Sequence, residues 1–423
     1  MHQTTEVDDP RSERRGGAGR RALVMVFPAA AALDLPRNSQ AAGRAWLDAA
    51  GFGDSKVSND HVRFNTQGPS VSVEDLGSRN GTFVDGSRLD PGDVCTLFDR
   101  AVIRIGGTVL VYRESFSGPN APDPPTGGLV GPFGLRSLAA EVERMQAIIG
   151  DASRPILVTG ETGTGKELLA QELAQRLRRR PAEPFLVTAT PPHLFDSMLF
   201  GHARGSFSGA DRDYDGVLKR NAAGAVLLDE IGDLPADEQP KLLRFLDSGE
   251  IQPLGKRPER VSVLVIAATN RFDLLEREDR FRPDLLARFS WRLKLSPLRE
   301  RREDIFAIAD ALATRIAGRG YARDTVDPRA IEQLLLHPWD RGNSRELRRC
   351  VELAATRASP PQLPNRAVSE ALAELGAPRQ AWPVTSLSRA RARQALEAAG
   401  GNQSKAAETL GINLPQLRRK LEK

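Results

Sequence analysis

Cysteine is scarce in this chain: Cys95 and Cys350 are the two examples among 423 residues, and no metal-ligand or redox spacing joins them. A disulfide scaffold has nothing to build on, and the usage suits a reducing cytoplasm with both thiols simply buried. Long apolar runs are missing as well, none approaching the roughly 18 residues of a membrane-spanning helix. The nearest imitation of a signal peptide is ALVMVFPAAAAL at 22–33, behind Arg20 and Arg21. A polar leader with acidic residues precedes it and Pro28 interrupts it, so it reads as a first buried strand. No internal repeat is found. With 40% hydrophobic and 27% charged residues the composition is that of a soluble globular protein, and the length calls for about two to four domains.

The net charge is +5, and its distribution says more than its size. From Thr385 onward eight Lys or Arg stand against three Asp or Glu, an excess equal to that of the whole chain. A nucleic-acid-binding tail has this character, and so does a solvated basic helix.

Residues 1–21 are rich in Arg, Gly and acidic side chains with almost nothing to bury, which predicts a disordered leader. Over 22–114 short apolar runs such as 71–73 and 109–112 alternate with turn signals at Asn80-Gly81, Asp85-Gly86 and Pro91-Gly92, an all-β pattern. A Pro/Gly-rich linker is expected at 115–130. Over 131–358 amphipathic helical segments alternate with buried strands at 156–159, 225–228 and 261–268, predicting a parallel α/β core to 298 and a helical lid over 299–358. Pro-containing breaks over 359–384 read as a second linker, and 385–423 as a small all-α unit.

The segment GETGTGKE, Gly160, Glu161, Thr162, Gly163, Thr164, Gly165, Lys166 and Glu167, has the pattern of a phosphate-binding loop. Its glycines let the backbone N–H groups turn toward the β- and γ-phosphates of ATP, Lys166 adds a cation, and the following helix offers its positive end. That helix carries Leu169, Leu173 and Leu177 on one face. Where the generic loop has Ser or Thr to ligate Mg²⁺, Glu167 stands. A second strand ends in Asp229-Glu230. The first carboxylate suits Mg²⁺ and the second suits orienting or deprotonating the attacking water. A third strand ends in Thr269-Asn270, whose polar side chains, Asn270 above all, suit sensing the γ-phosphate, although Asn is also a common strand-ending turn residue.

Residues 131–358 resemble the AAA+ domain of sigma-54-dependent activators, the bacterial enhancer-binding proteins. The resemblance rests on GETGTGKE, LLDEIGDLP (227–235), IAATNRFDL (266–274), FRPDLLARF (281–289), PLRERREDI (297–305) and GNSREL (342–347). It implies that Arg282 and Arg288 reach into the neighbouring subunit's ATP site, that Arg345 touches nucleotide in its own subunit, and that the chain self-associates into a ring, a hexamer in the family. Guanidinium forks stabilise charge on a transferring phosphoryl group, and supplying them in trans ties hydrolysis to assembly.

The family's GAFTGA loop, which contacts sigma-54 RNA polymerase holoenzyme, corresponds to GSFSGA: Gly205, Ser206, Phe207, Ser208, Gly209 and Ala210. Phe207 would form an exposed apolar tip and Ser208 keeps the hydroxyl of the family's threonine. Upstream, 184–202 is about three residues short of the family pattern. An Asn that pairs with the catalytic glutamate is replaced by Ala189 or Thr190, leaving Thr188 or Thr190 as substitutes.

GGNQSKAAETLGINLPQLRRKLEK at 400–423 resembles the Fis-type helix-turn-helix of these activators. Gly411 makes the turn, Asn413 caps a second helix with Leu417 and Leu421 facing inward, and Gln416, Arg418, Arg419 and Lys420 are left for enhancer DNA. At the front, Gly43-Arg44, then Ser58-Asn59-Asp60-His61, then GSRNGTFVDG (77–86) resemble a forkhead-associated (FHA) sandwich, a phosphothreonine-binding fold. That resemblance implies Arg44, Ser58, Asn59, Arg79 and Asn80 as phosphopeptide contacts, with His61 bracing their loop.

The sequence thus predicts a cytoplasmic, multidomain protein: an all-β FHA sandwich, an α/β AAA+ ATPase with a helical lid, and an all-α helix-turn-helix. Its expected work is ATP-driven remodelling of sigma-54 polymerase under phosphothreonine control. The alternative is a DNA-binding regulator of other promoters that has lost productive sigma-54 contact. Thr4 and Thr5 in the leader raise self-binding as a further option.

Overall fold

The structure, a computed structural model, describes residues 19–36, 40–68, 70–118, 120, 154–378 and 385–421, the side chain of Arg419 excepted. Most of the expected leader, with Thr4 and Thr5, lies outside them, as do most of the first expected linker, the ATPase segment up to 153, and 379–384. The described residues group into two compact units. One draws on 1–122, 327–336 and 381–423, the other on 123–326 and 337–380.

The first unit begins with β1 (Arg20–Phe27), β2 (Ala31–Asp34), β3 (Ala41–Ala42), α1 (Arg44–Ala49), β4 (Val62–Asn65), β5 (Val71–Asp75), β6 (Thr82–Val84), β7 (Ser87–Arg88), β8 (Val94–Leu97), β9 (Val102–Ile105) and β10 (Thr108–Phe116). One sheet runs β2-β1-β10-β9-β6-β7, and β8-β5-β4-β3 form the body of the other. Alternation explains the sandwich: in β5, Val71, Val73 and Asp75 are buried while Ser72 and Glu74 are half-exposed. Leu23, Met25, Phe64, Ile103 and Leu110 join them in the core between the sheets. The run that imitates a signal peptide divides between β1, paired on both sides and buried from Ala22 to Phe27, and β2, which starts at Ala31.

The second unit is a parallel sheet with helices. Its elements are β11 (Ile156–Gly160), α2 (Lys166–Arg176), β12 (Glu183–Leu186), α3 (Pro192–Phe200), α4 (Gly216–Arg220), β13 (Ala225–Asp229), α5 (Gln239–Ser248), the hairpin β14 (Glu250–Ile251) and β15 (Glu259–Arg260), β16 (Leu264–Thr269), α6 (Phe272–Leu275), α7 (Pro283–Arg288) and β17 (Trp291–Leu295). The strand order is β12-β13-β16-β11-β17, every pair parallel. The chain leaves β11 between two neighbours, and the loops after β11, β13 and β16 emerge at the same carboxyl edge, where ligands bind in open α/β sheets.

Helices follow: α8 (Ile305–Ala317), α9 (Pro328–Leu336), α10 (Ser344–Arg357) and α11 (Asn365–Leu375). Two findings depart from the expected boundaries. Helix α11 lies inside the stretch read as a linker. Pro364 precedes its first turn, where a missing N–H costs little, and Ala367, Val368 and Ala371 give it a buried face. Helix α9, inside the stretch read as lid, groups with the first unit. Its Glu332 accepts from Arg104 Nε at 2.7 Å, both side chains being buried, and from the Gly86 N–H at 3.2 Å, while the Arg104 guanidinium lies 3.7 Å from the centre of the Phe83 ring.

The remaining elements also belong to the first unit: β18 (Ser386–Leu387), then α12 (Arg389–Ala398), α13 (Gln403–Thr409) and α14 (Leu414–Leu421). Strand β18 adds to the edge of the second sandwich sheet, antiparallel to β8. Both cysteines are buried free thiols, and burial pushes each up to about 12. No described helix is long and apolar enough to cross a membrane.

Candidate functional site

The loop after β11 turns through Gly163 (φ +76°) and Gly165 (φ +102°), a left-handed backbone that favours glycine. A Cβ on Gly163 would sit 2.0 Å from the Gly342 carbonyl oxygen, so position 163 requires glycine on steric grounds too. Lys166 is buried, and its Nζ donates to the Gly160 carbonyl at 2.9 Å and the Glu161 carbonyl at 3.3 Å. Burial pushes its ammonium below the usual range while the Glu230 and Asp229 carboxylates pull it back up. Glu167 is exposed in the first turn of α2, where a carboxylate complements the helix dipole.

Asp229 ends β13, and its Oδ1 accepts the Glu230 N–H at 3.1 Å. Glu230 holds a left-handed conformation, φ +58° and ψ +47°, which is costly for a residue with a Cβ and is held by its surroundings. Its Oε2 accepts the Asn270 N–H at 3.2 Å, and Asn270 Nδ2 donates to Thr162 Oγ1 at 2.8 Å. One chain of bonds therefore links the acidic strand end, the third strand end and the phosphate loop. Of the two threonines expected to stand in for the missing Asn, Thr190 is engaged elsewhere, its Oγ1 donating to the Leu186 carbonyl at 3.0 Å, and Thr188 is exposed.

Residues with no role assigned from sequence complete the loop's surroundings. Arg299 makes a two-pronged ion pair with Glu161, one prong at 2.8 Å, and those bonds hold the Glu161 carboxyl below its usual range. Asn343 Nδ2 donates to Glu161 Oε2 at 3.2 Å and to the Thr162 carbonyl at 3.1 Å, and the Ser344 N–H donates to the Gly163 carbonyl at 3.0 Å. Arg301 Nη2 donates to the Thr164 carbonyl at 2.7 Å. Arg345 is close enough that its charge disfavours protonation of Lys166. The signal for these residues lay in PLRERREDI and GNSREL, read as family blocks without roles for Arg299, Arg301 or Asn343.

Arg282 and Arg288 are not brought to this loop. Arg282 is bidentate with Asp284, at 3.0 and 2.7 Å, and Arg288 pairs with Asp247. Arg288 lines a cavity of about 620 Å³ with Arg154, Pro155, Arg260 and Val263. Pro155 and Val263 immediately precede β11 and β16, so this cavity lies at the opposite end of the sheet from the phosphate loop.

The GSFSGA segment follows α3. It is closed by the Gly205 N–H to the Ala210 carbonyl, 2.8 Å, with Gly205 (φ +79°) and Gly209 (φ +101°) open to space on their Cβ sides. Ser206 and Ser208 are exposed. Phe207 is not the exposed tip that was expected: it is half-buried, its ring edge-on to His202 at 5.0 Å between centroids. An aromatic side chain next to an available ring packs rather than projects.

In the sandwich, the Arg44 guanidinium donates to the Val57 and Ser55 carbonyls, both 3.1 Å, on the loop carrying Ser58. Ser58 Oγ accepts the Arg79 N–H at 3.2 Å, Asn80 Nδ2 donates to the Lys56 carbonyl at 2.6 Å, and Asn59 and Asp60 are exposed. These residues therefore share one loop cluster. His61, fully buried, accepts the Ser58 N–H at 3.1 Å and lies 3.3 Å from the Gly81 carbonyl. Its burial holds the imidazole below its usual range.

In the C-terminal unit Asn413 Oδ1 accepts the Gln416 N–H at 2.9 Å and Gln416 Oε1 accepts the Asn413 N–H at 3.0 Å, a reciprocal cap on α14. Leu417 is fully buried and Leu421 packs against the same cluster. Arg418 Nε donates to Gln403 Oε1 at 3.0 Å, and Lys420 Nζ donates to the Val94 carbonyl at 2.6 Å.

A parallel sheet of this strand order, a glycine loop with a buried lysine, an acidic strand end and helices closing over the loop together define a P-loop ATPase of the AAA+ class. The chain belongs to the sigma-54-dependent activators. It matches the sigma-54 interaction domain at 135–294, the AAA+ ATPase lid domain at 299–381, the FHA domain at 42–106 and the Fis-family bacterial regulatory protein model at 389–423. The DNA-binding transcriptional regulator NtrC of Rhizobium meliloti is 34% identical over 334 residues, 68% of each chain. The Nif-specific regulatory protein of Klebsiella pneumoniae is 38% identical over 307 residues, 67% of this chain and 58% of that one. The nitric oxide reductase transcription regulator NorR1 of Cupriavidus necator is 39% identical over 304 residues, 64% of this chain and 59% of its own. The chain thus spans about three fifths of the length of these last two relatives. Among solved structures, NtrX from Brucella abortus in complex with ATP is similar with 25% identity and a TM-score of 0.47, over 70% of this chain and 69% of that one.

Proposed function

We propose that this chain binds enhancer DNA through α13 and α14, hydrolyses ATP at the loop after β11, and uses that turnover to remodel sigma-54 polymerase holoenzyme into the open complex. The observation that carries the reading is the convergence of Lys166, Asp229, Glu230 and Asn270 on one glycine loop, with GSFSGA on the same unit. Lys166 and the loop N–H groups bind the phosphates. Glu230 orients the attacking water and takes up its proton, while Asn270 holds that carboxylate and registers the state of the loop through Thr162. Asp229, a carboxylate at the strand end whose Oδ1 accepts the Glu230 N–H, would hold Mg²⁺, which supplies charge neutralisation when bound. Arg345 touches nucleotide within the subunit. Arg282 and Arg288, whose guanidinium groups pair with Asp284 and Asp247 rather than with residues of their own loop, act on a neighbour's nucleotide in a ring, a hexamer by family likeness.

A route from the acidic strand end to the polymerase loop is available. Helix α5, which follows β13, carries Lys241, and Lys241 pairs with Asp196 on α3, the helix that leads into GSFSGA, as well as with Glu238 at 3.2 Å. Gly205 to Gly209 contact sigma-54, with Phe207 leaving His202 to do so, while Ala210, buried, closes the base of the loop. Gln416, Arg418, Arg419 and Lys420 contact DNA. The sandwich binds a phosphothreonine-containing segment through Arg44, Ser58, Asn59, Arg79 and Asn80, once Arg44 exchanges its carbonyl partners for phosphate, and so controls the activator in the cytoplasm.

The test is a purified sigma-54 promoter assay with ATP. Open complexes that form with the wild type and vanish with Lys166→Ala support the reading. Footprints obtained only with polymerase carrying another sigma factor would favour the promoter-regulator alternative. For the sandwich, Arg44→Ala must abolish capture of a phosphothreonine peptide library.

A further inference from the structure

The first unit carries an association at Ser386–Leu387, which lies outside both the matched FHA residues, 42–106, and the matched Fis-family residues, 389–423. Strand β18 hydrogen-bonds along β8, Ser386 opposite Leu97 and Leu387 opposite Thr96, and the Phe98 N–H donates to the Thr385 carbonyl at 2.9 Å. Leu387 is buried in the same apolar cluster as Ala406, Leu410 and Leu417 of the helical unit, and Phe98 of the sandwich packs against that cluster. Asp85, on the turn before β7, accepts from Thr385 Oγ1 at 2.8 Å and lies 3.6 Å from the Arg391 guanidinium. Strand addition, apolar burial and paired charge therefore act at one place.

The face of α14 that this association covers carries two of the residues assigned to DNA, Gln416 and Lys420, while Arg418 stays exposed. Gln416 and Lys420, one turn apart, line a cavity of about 630 Å³ whose opposite wall is formed by Ser72, Asp93 and Thr96 of the sandwich. Lys420 Nζ donates to the Val94 carbonyl, 2.6 Å away. A recognition helix must lie in the major groove with this face on the base edges. The sandwich sheet and the duplex cannot both occupy it.

We propose that the β8 edge of the sandwich is a docking surface for this chain's own helix-turn-helix, and that docking withholds Gln416 and Lys420 from DNA until the sandwich lets go. The inference rests on the reading of α14 as the DNA-contacting helix. It adds to that reading a specific place at which a signal received by the sandwich reaches DNA affinity. A helix available only in the undocked fraction binds with its affinity reduced by that fraction, so a docked excess of about ten to one weakens binding about tenfold.

The test uses the full chain and a fluorescent mixed-sequence duplex at fixed ionic strength. Phe98→Ser removes the sandwich's apolar contact with the cluster and is expected to tighten binding about tenfold. Unchanged affinity overturns masking while leaving DNA binding intact. Failure of both proteins to bind any duplex overturns the DNA reading and masking with it. Because Phe98→Ser could disturb the sandwich itself, hydrogen exchange on the wild type gives an independent answer. Amides of 94–98 and 386–387 must lose protection when duplex saturates the protein, and protection retained with DNA bound overturns the proposal.

Discussion

Two glycine-rich loops of the second unit use the same residue for opposite ends. In the phosphate loop, Gly163 is crowded: the Gly342 carbonyl stands where a Cβ would go, the Ser344 N–H bonds its own carbonyl, and Asn343 and Arg299 clamp the residues before it. In GSFSGA, Gly205 and Gly209 take left-handed backbone with nothing near their Cβ positions, and the Phe207 ring packs against that of His202. Glycine in the first permits close approach, which fixes donors around a phosphate. In the second it permits a turn that can be remade. The proposed coupling of phosphate chemistry to polymerase remodelling would draw on one loop of each kind.

The contrast is broken most severely at Gly163. Gly163→Ala is expected to lower ATP turnover by at least about a hundredfold, since displacing catalytic groups by about 1 Å has that effect. Gly205→Ala should leave turnover unchanged, with steady-state phosphate release as the measurement for both. The clamp has a titratable support next to it. Burial pushes His337 down to about 4, its ring lies 4.4 Å from that of Trp339, and the Trp339 carbonyl accepts the Asn343 N–H at 3.0 Å. The folded state favours the neutral imidazole, so its stabilisation is complete above pH 6.5 and is lost as pH falls toward 4. The loss amounts to about 3 kcal/mol at most. Denaturant midpoints measured from pH 7 to 4 should fall, and His337→Phe should flatten that dependence. On the open loop the effects are smaller. Gly209→Ala should destabilise by about 1 to 2 kcal/mol, the ordinary cost of a left-handed alanine without a clash. Phe207→Ala should cost about 1 kcal/mol from the lost ring pair, read by the same denaturation experiment.

Much of this was legible in the sequence because short patterns carried it. The glycine loop, the acidic strand end, the alternation of β5 and the Gly411–Asn413 turn each sit within about ten residues and are repeated physics. What could not be read depends on partners far apart in the chain. Glu161 and Arg299 are 138 positions apart and Arg104 and Glu332 are 228 apart, and neither pair has a local signature. A two-residue strand, Ser386–Leu387, has no periodicity to detect, and its place in a sheet depends wholly on an edge formed near residue 96. The expected exposure of Phe207 failed for a related reason, since glycine neighbours announce a turn but not the ring of His202 beside it. The proline of 364 was read as a break, although a proline before a first helical turn starts a helix as readily as it ends one.

The central claim is that the crowded loop performs the chemistry and the open loop delivers it to the polymerase. Phe207→Ala separates the two when phosphate release and sigma-54 open-complex formation are followed in the same reaction. The account predicts turnover close to that of the wild type with open complexes absent. Open complexes formed in proportion to the ATP consumed, or turnover and open complexes falling together, would contradict it.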